Sequence, residues 1–165
     1  MVAPEIELRL ANLADAGEIA AISRDFIETG LGWSWTADRV ARNIRHPEVT
    51  VLAAHHGLRI AGFAIMYFGQ EEARLNLLAV LPGYRRAGLG RRLVRWLEES
   101  VLAAGISLVY LETRAGNLGA QTFYTKLGYR AVVRLPGYYA GREEGVRMGR
   151  DLWCPSQSGT RNTDR

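Results

Sequence analysis

Apolar and polar residues alternate along several short stretches of the chain, which is the pattern of half-buried β-strands. Residues 6–10 alternate strictly between aliphatic and charged side chains and predict a first strand. Further along, residues 49–81 contain three apolar stretches separated by turns at Gly57 and at residues 69–72. They predict an antiparallel meander of three strands.

A period of three to four residues marks the stretches between the strands as helices. The clearest spans residues 89–104, where leucine and valine recur at every fourth position, charged side chains lie opposite, and Gly105 follows as a terminator. Two helices are predicted before the meander, one capped by Asn12 or Asp15 and one over residues 36–45. Another begins at Asn117.

The C-terminal third completes the pattern with three more strands. "SLVYLET" predicts a fifth strand, and "YRAVVRL" and "EGVRMGRDLW" predict a final pair joined by the loop "PGYYAGRE". The order predicts an α/β fold with a mixed, mostly antiparallel sheet of about seven strands flanked by about four helices. We expect one domain over residues 1–153 and a disordered tail over residues 154–165, which lack apolar anchors.

The composition is that of an ordinary globular protein, with 48% hydrophobic and 23% charged residues. No apolar run approaches the roughly 20 residues of a membrane span, and the first residues lack the pattern of a secretory signal. We therefore expect a cytoplasmic protein without a membrane partner. The single cysteine, Cys154, and three histidines offer no metal-ligand spacing, so no metal is expected.

The net charge of +4 is carried almost wholly by arginine, because Lys126 is the only lysine. A basic balance suits a polyanion, either nucleic acid or a phosphate-bearing cofactor. His55 and His56 beside Gly57 are interpreted as surface residues at a hairpin tip.

The stretch "LPGYRRAGLGRRLV" leads from a strand through a glycine-rich turn into a helix. Such a turn presents free backbone N–H groups and the positive end of a helix dipole, which together suit a pyrophosphate. Gly88 and Gly90 allow an anion to approach the backbone closely. Neither the nucleotide-triphosphate loop nor the dinucleotide fingerprint fits, since Arg91 follows the last glycine and Leu93 occupies the third glycine position. The alternative is a turn whose arginines are merely solvated.

Two motifs together resemble a known family. Arg85-x-x-Gly88-x-Gly90, preceded by "LNLLAV" and followed by "NLGAQTFYTKLGY", resembles the central motifs of the GNAT superfamily of acetyl-CoA-dependent N-acetyltransferases. The stretch "YLETRAGNLGAQTFYTKLGY" looks most like the ribosomal-protein-alanine N-terminal acetyltransferases.

The resemblance implies acetyl-CoA as cosubstrate and assigns residues to it. Leu78, Ala79 and Val80 would lie along the pantetheine arm, and Asn117 would contact that arm. The pyrophosphate would bind the backbone amides of a six-residue turn. That turn consists of Arg85, Arg86, Ala87, Gly88, Leu89 and Gly90. A homodimer through the C-terminal strands is also consistent with the family.

Glu112 and Tyr124 are the candidates for moving protons. Glu112 shares a strand face with Leu108 and Tyr110, an apolar setting that would poise a carboxylate as a base, although an ion pair with Arg114 or another arginine is the alternative. The spacing of Tyr124 by itself favours plain core packing. The resemblance implies that Glu112 is the general base and Tyr124 the general acid. A backbone N–H freed by a bulge at residues 78–80 would stabilise the oxyanion.

The acceptor side is less defined. Trp33, Trp35 and Tyr139 are candidates for a substrate groove, although aromatic residues at helix junctions also act as hydrophobic plugs. The segment "GWSW" departs from the ribosomal-protein enzymes. The acceptor is therefore left open between a protein N-terminus and a small-molecule amine.

The leading function is acetyl transfer to a primary amine by direct attack. The first alternative is a non-catalytic acyl-CoA-binding regulatory module. A second is a nucleic-acid-binding protein that uses the arginines of residues 85–95, but these lack interleaved aromatic residues and share their helix with Glu98 and Glu99. No nucleic-acid partner is therefore expected.

Overall fold

The computed structural model describes residues 5–154, and within them the predicted fold class is confirmed. The strands are β1 (Ile6–Leu10), β2 (Val49–His56), β3 (Arg59–Phe68), β4 (Glu72–Val80), β5 (Leu108–Arg114), β6 (Arg130–Tyr139) and β7 (Glu143–Asp151). The helices are α1 (Ala16–Phe26), α2 (Ala37–Arg45), α3 (Leu89–Ala103) and α4 (Leu118–Lys126). The predicted tail, apart from Cys154, lies outside the described residues.

The strands form one sheet in the order β1-β2-β3-β4-β5-β7-β6. Every neighbouring pair is antiparallel except β4 and β5, which are parallel. The parallel pairing is short. Glu72–Leu75 align with Leu108–Leu111, and the two strands do not pair beyond these residues. The carboxyl ends of the two strands therefore part and leave a gap in the sheet.

A bulge in β4 lies at the start of this gap. The register with β3 pairs Met66 with Leu75 but Ile65 with Leu77, so Asn76 is the extra residue. The bulge also switches the faces of the strand: Leu75 packs in one core cluster and Leu77 in the other. In a regular strand both side chains would point to the same face.

Helices cover both faces of the sheet. Ile19 of α1 and Val40 of α2 pack with Phe63 on one face, and Leu93 and Leu97 of α3 pack with the other. These side chains are completely buried and form two apolar clusters separated by the sheet. Burial of these apolar side chains supplies most of the free energy that favours folding.

The predicted helix caps are present. The Asn12 side chain accepts a hydrogen bond from the Ala14 N–H while Asp15 accepts from the Asn12 N–H, which makes a reciprocal cap in front of α1. Asn117 caps α4 by accepting from the Ala120 N–H at 3.1 Å. Short polar residues thus fix where these helices begin.

The last hairpin differs from the prediction. β6 continues through residues 136–139, which the sequence assigned to a loop, and only residues 140–142 form the connection. The strand tolerates Pro136 because it lies at the edge of the sheet, where one side of its backbone has no strand neighbour.

The interpretation of His55 as a surface residue is wrong, because only 4% of the residue is exposed. Its ring lies within 3.2 Å of both the Arg9 Nε and an Asp15 carboxylate oxygen. His55 is buried because β1 pairs alongside β2 and shields this part of β2 from solvent. His56 is half-buried, with Nδ1 2.6 Å from the Tyr84 hydroxyl.

Candidate active site

A cavity of about 500 Å³ opens where β4 and β5 part. The end of α1, the loop between α1 and α2, the start of α4 and the β6–β7 turn complete its wall. Six residues predicted for the site line it: Leu78, Glu112, Asn117, Tyr124, Trp35 and Tyr139. Ala79, Val80, Trp33 and the turn over residues 85–90 are not among its lining residues.

Glu112 projects from β5 and is 7% exposed, but its setting is not apolar as predicted. Its Oε1 accepts hydrogen bonds from Arg74 at 3.0 Å and from Arg147 at 2.9 Å. Arg147 lies directly opposite Glu112 on β7, a pairing between distant residues that strand periodicity does not reveal. Within residues 5–154 no group donates a hydrogen bond to Oε2, which is therefore available to a ligand.

Arg114, the partner that the sequence suggested for Glu112, has another role. It extends to the other side of the gap, where Nη2 donates to the backbone carbonyls of Ile27 and Thr29 at 3.1 and 2.7 Å, and Nη1 lies 3.3 Å from Glu143. Arg114 thereby fastens the end of α1 to β5 and closes one wall of the cavity.

Tyr124 lies on the inner face of α4 and is 7% exposed. Its ring packs edge-on against Phe123 and Tyr129, as core periodicity predicts, and Tyr124 also lines the cavity. Burial, with a smaller contribution from Tyr139, raises the pKa of Tyr124 above its ordinary value. The hydroxyl therefore carries its proton at neutral pH.

Two more tyrosines, Tyr138 and Tyr139, flank Glu112 from β6. Burial, followed by the proximity of Tyr138 and then of the Glu112 carboxylate, raises the pKa of Tyr139 to about 12. Both residues line the cavity and present neutral hydroxyls to it. They fall in the part of β6 that the sequence had assigned to a loop.

The loop between α1 and α2 is organised by Glu28, which the sequence analysis did not single out. Its carboxylate accepts hydrogen bonds from the Ser34 backbone at 2.7 Å, the Ser34 hydroxyl at 2.6 Å, the Ser23 hydroxyl at 3.0 Å and the Trp35 N–H at 3.2 Å. Burial alone would raise the pKa of Glu28, but these hydrogen bonds outweigh burial and hold the pKa below its ordinary value. No periodic pattern marks such a residue, since its donors come from an irregular loop.

The two candidate tryptophans in this loop differ in position. Trp35 is 9% exposed, lines the cavity, and carries the Arg39 guanidinium 3.9 Å from its ring centroid. Trp33 is largely exposed, and its indole N–H donates to the Ala20 carbonyl at 3.2 Å. Only Trp35 reaches the cavity wall.

The turn over residues 85–90 is exposed up to Gly88 and runs directly into α3. Gly88 precedes the helix with a φ of 79°, a left-handed conformation that favours glycine, and the first N–H groups of α3 have no partner within the helix. Gly90 also has a packing role. A Cβ there would lie 3.2 Å from the Phe123 ring, so Gly90 allows α3 to approach α4.

The residues present fit an acyl-CoA. The turn offers free amides to a pyrophosphate, and the parted strands offer unpaired backbone to an extended chain. Thr113, which also lines the cavity, has a buried hydroxyl without a hydrogen-bond partner among the described residues. In the same part of the chain, no three His, Cys, Asp or Glu side chains are placed to share a metal ion.

The sheet parts between two parallel strands, and a glycine-rich turn leads into the helix that connects them. The acetyltransferase (GNAT) family model matches residues 19–129, and the chain belongs to that family. None of the helices within residues 5–154 has the length and apolar character of a membrane span.

Among curated proteins, the chain is similar to the [ribosomal protein bS18]-alanine N-acetyltransferase of Escherichia coli strain K12, with 37% identity over 93 residues. This match covers 54% of the chain and 63% of the relative, which is less than two thirds of the relative's length.

Two solved structures share the fold over nearly their whole length. Ard1 from Thermoplasma volcanium superposes with a TM-score of 0.79 at 25% identity, covering 92% of this chain and 99% of that one. The ribosomal-protein-S18-alanine N-acetyltransferase from E. coli gives a TM-score of 0.76 at 25% identity, with coverage of 94% and 99%.

Proposed function

We propose that this protein transfers the acetyl group of acetyl-CoA to a primary amine. The observation that carries the proposal is the placement of Glu112 and Tyr124 in the wall of one cavity, at the gap between β4 and β5. The acceptor is a protein N-terminus or a small-molecule amine. Similarity to an alanine N-acetyltransferase favours the protein N-terminus.

Acetyl-CoA supplies the activated acetyl group, and three parts of the chain bind it. The free edge of β4 at Leu78, Ala79 and Val80 pairs with the pantetheine arm, as an added strand pairs with a sheet edge. The backbone amides over residues 85–90 bind the pyrophosphate. Asn117 uses its side-chain oxygen to cap α4, which leaves its amide N–H groups for the arm.

Proton movement falls to the two residues that the family motif assigns. Arg74 and Arg147 fix Oε1 of Glu112, and Oε2 removes a proton from the acceptor ammonium directly or through water. Tyr124, which keeps its proton at neutral pH, protonates the departing thiolate. The backbone at the Asn76 bulge, rather than at residues 78–80, provides the N–H for the oxyanion.

A second candidate function is a non-catalytic acyl-CoA-binding module. It is favoured by the two ion pairs of Glu112, since a carboxylate held by two arginines also serves purely as a link between strands. The two functions predict different rates of CoA release when Glu112 or Tyr124 is substituted.

The test is CoA release by Glu112→Gln and Tyr124→Phe. Peptides beginning with alanine or serine, polyamines, amino acids and aminoglycosides serve as acceptors. We expect each variant to lose about 10²–10⁴-fold in kcat, the range for one general acid or base, with acetyl-CoA affinity retained. Tyr129→Phe is the matched control, because that buried hydroxyl binds Glu98 and does not line the cavity.

Two outcomes would contradict the proposal. One is normal acetyl-CoA binding without CoA release for any acceptor, which supports the binding module. The other is a loss of rate in Tyr129→Phe as large as in Tyr124→Phe, which assigns the effect to packing.

A further inference from the structure

Arg39 is a fixed cation in the wall of the cavity. It lies on α2, is half-buried, and stacks on Trp35 at 3.9 Å. Its Nη1 donates to the Ser34 hydroxyl at 3.3 Å. Trp35 and Ser34 are themselves hydrogen-bonded to Glu28, so the guanidinium packs on a loop that Glu28 organises.

Arg39 differs from Arg74, Arg114 and Arg147 in having no carboxylate partner within residues 5–154. Arg74 and Arg147 share Glu112, and Arg114 pairs with Glu143. Among the described residues, no acidic group lies within ion-pair distance of Arg39, and Ser34 is the one acceptor that its side chain contacts. A guanidinium has five N–H donors, so most of its hydrogen-bonding capacity is unused.

The acidic groups nearby do not take over that capacity. The Ser34 hydroxyl that accepts from Arg39 donates its own proton to Glu28, whose carboxylate oxygens are already occupied by four donor groups. Glu112 is engaged by its two arginines. A carboxylate that enters the cavity would accept charge-assisted hydrogen bonds from the unused N–H groups of Arg39.

We propose that Arg39 binds a carboxylate of the acceptor and selects amines that carry an acidic group close to the reacting nitrogen. This inference rests on the proposed acetyl transfer, and it names the chemistry of the acceptor. The carboxylate belongs either to an acidic residue next to a protein N-terminus or to a free amino acid or short peptide.

The experiment measures steady-state CoA release with three amidated peptides, Ala-Glu-Gly-Gly, Ala-Gln-Gly-Gly and Ala-Lys-Gly-Gly. Free alanine, free Ala-Gly and amidated Ala-Gly are compared with them. We expect about tenfold lower KM for the Glu peptide than for the Gln peptide, as one charge-assisted hydrogen bond provides. If free Ala-Gly is preferred over amidated Ala-Gly instead, the carboxylate is that of a small molecule.

Arg39→Gln should reduce the Glu-to-Gln preference to about one, and Arg39→Lys should retain part of it. Arg42→Gln is the matched control, because it removes the same charge from the same helix. Arg42 is exposed and does not line the cavity. Thermal unfolding of each variant shows whether the fold is kept.

Three results would overturn the inference. The first is equal KM for the Glu and Gln peptides in the wild type together with no preference for free over amidated Ala-Gly. The others are an unchanged carboxylate preference in Arg39→Gln and an equal loss of that preference in Arg42→Gln. If no amine is acetylated, the proposed acetyl transfer fails. The role of Arg39 is then decided by calorimetric titration of the Glu and Gln peptides into protein saturated with CoA, where equal affinities reject it.

Discussion

At the scale of single residues, Glu28 shows how one carboxylate organises a loop. Its hydrogen bonds from Ser23, Ser34 and Trp35 join the end of α1 to the segment that precedes α2. Because these hydrogen bonds outweigh burial, the pKa of Glu28 is lower in the folded protein than its ordinary value of 4.5. Folding therefore favours the ionised form, and the network contributes to stability wherever the carboxyl is ionised.

This linkage predicts the pH dependence of a Glu28→Gln variant. At neutral pH the variant should be less stable by about 1–3 kcal/mol, because loop N–H and hydroxyl donors lose a charged acceptor. When a carboxyl group has a lower pKa in the folded than in the unfolded protein, its stabilising contribution is complete at pH values above the unfolded-state pKa. The contribution is lost as the pH falls through the folded-state pKa. The difference in urea unfolding free energy should thus shrink below about pH 4.5.

The control for this prediction is Glu99→Gln. Glu99 is exposed on α3, and its carboxylate accepts no hydrogen bond from another described residue, so its substitution should have little effect at any pH. A Glu28→Gln difference that stays constant from neutral to acid pH would show that shape, rather than charge, stabilises the loop.

At the scale of elements, the start of α3 has two glycines with separate roles. Gly88 takes the left-handed conformation that turns the chain into the helix, and Gly90 lets the helix pack against Phe123 of α4. Tyr124 follows Phe123 in the same helix. The contact at Gly90 therefore links the geometry of the turn over residues 85–90 to the position of Tyr124.

Substitution of either glycine should weaken acetyl-CoA binding more than Arg92→Gln. Gly88→Val forces a side chain into the left-handed region at about 1–2 kcal/mol, and Gly90→Val overpacks the α3–α4 contact at about 1–3 kcal/mol. Calorimetric titration with acetyl-CoA gives the ranking.

Phe123→Leu should partly relieve the Gly90→Val defect and not the Gly88→Val defect. The opposite ranking, with Arg92→Gln the weakest binder, would show that charge rather than backbone geometry holds the cofactor.

The elements themselves follow from local patterns, and the contacts between them do not. Alternation and caps locate β1 to β5 and all four helices, since Asn12, Thr36 and Asn117 act within one turn of their own position. The pairing of Glu112 with Arg147 and the bulge at Asn76 depend on the register between strands. A single periodic pattern carries no information on register when both faces of a strand are buried.

At the scale of the whole molecule, the sheet consists of two parts that meet at a short seam. β1 to β4 form one part and β5 to β7 the other, joined by four aligned residues on each of β4 and β5. Arg74 and Arg147 reach Glu112 from β4 and β7 and reinforce the seam beside the gap. A ligand that pairs with both strands beyond Leu75 and Leu111 would extend the seam, so cofactor binding and global stability should be coupled.

This coupling predicts that acetyl-CoA raises the unfolding temperature and that an oligonucleotide does not. At about 100 times its dissociation constant, a ligand specific for the folded state adds about 2.7 kcal/mol, which corresponds to about 5 to 10 °C for a domain of this size. Hydrogen exchange should slow along β4 and β5 beyond the seam.

Single-stranded DNA at equal concentration is the control, since a net charge of +4 attracts any polyanion weakly. Stabilisation by the DNA that is lost steeply with salt, with none from acetyl-CoA, would instead make the arginines of residues 85–95 a nucleic-acid surface.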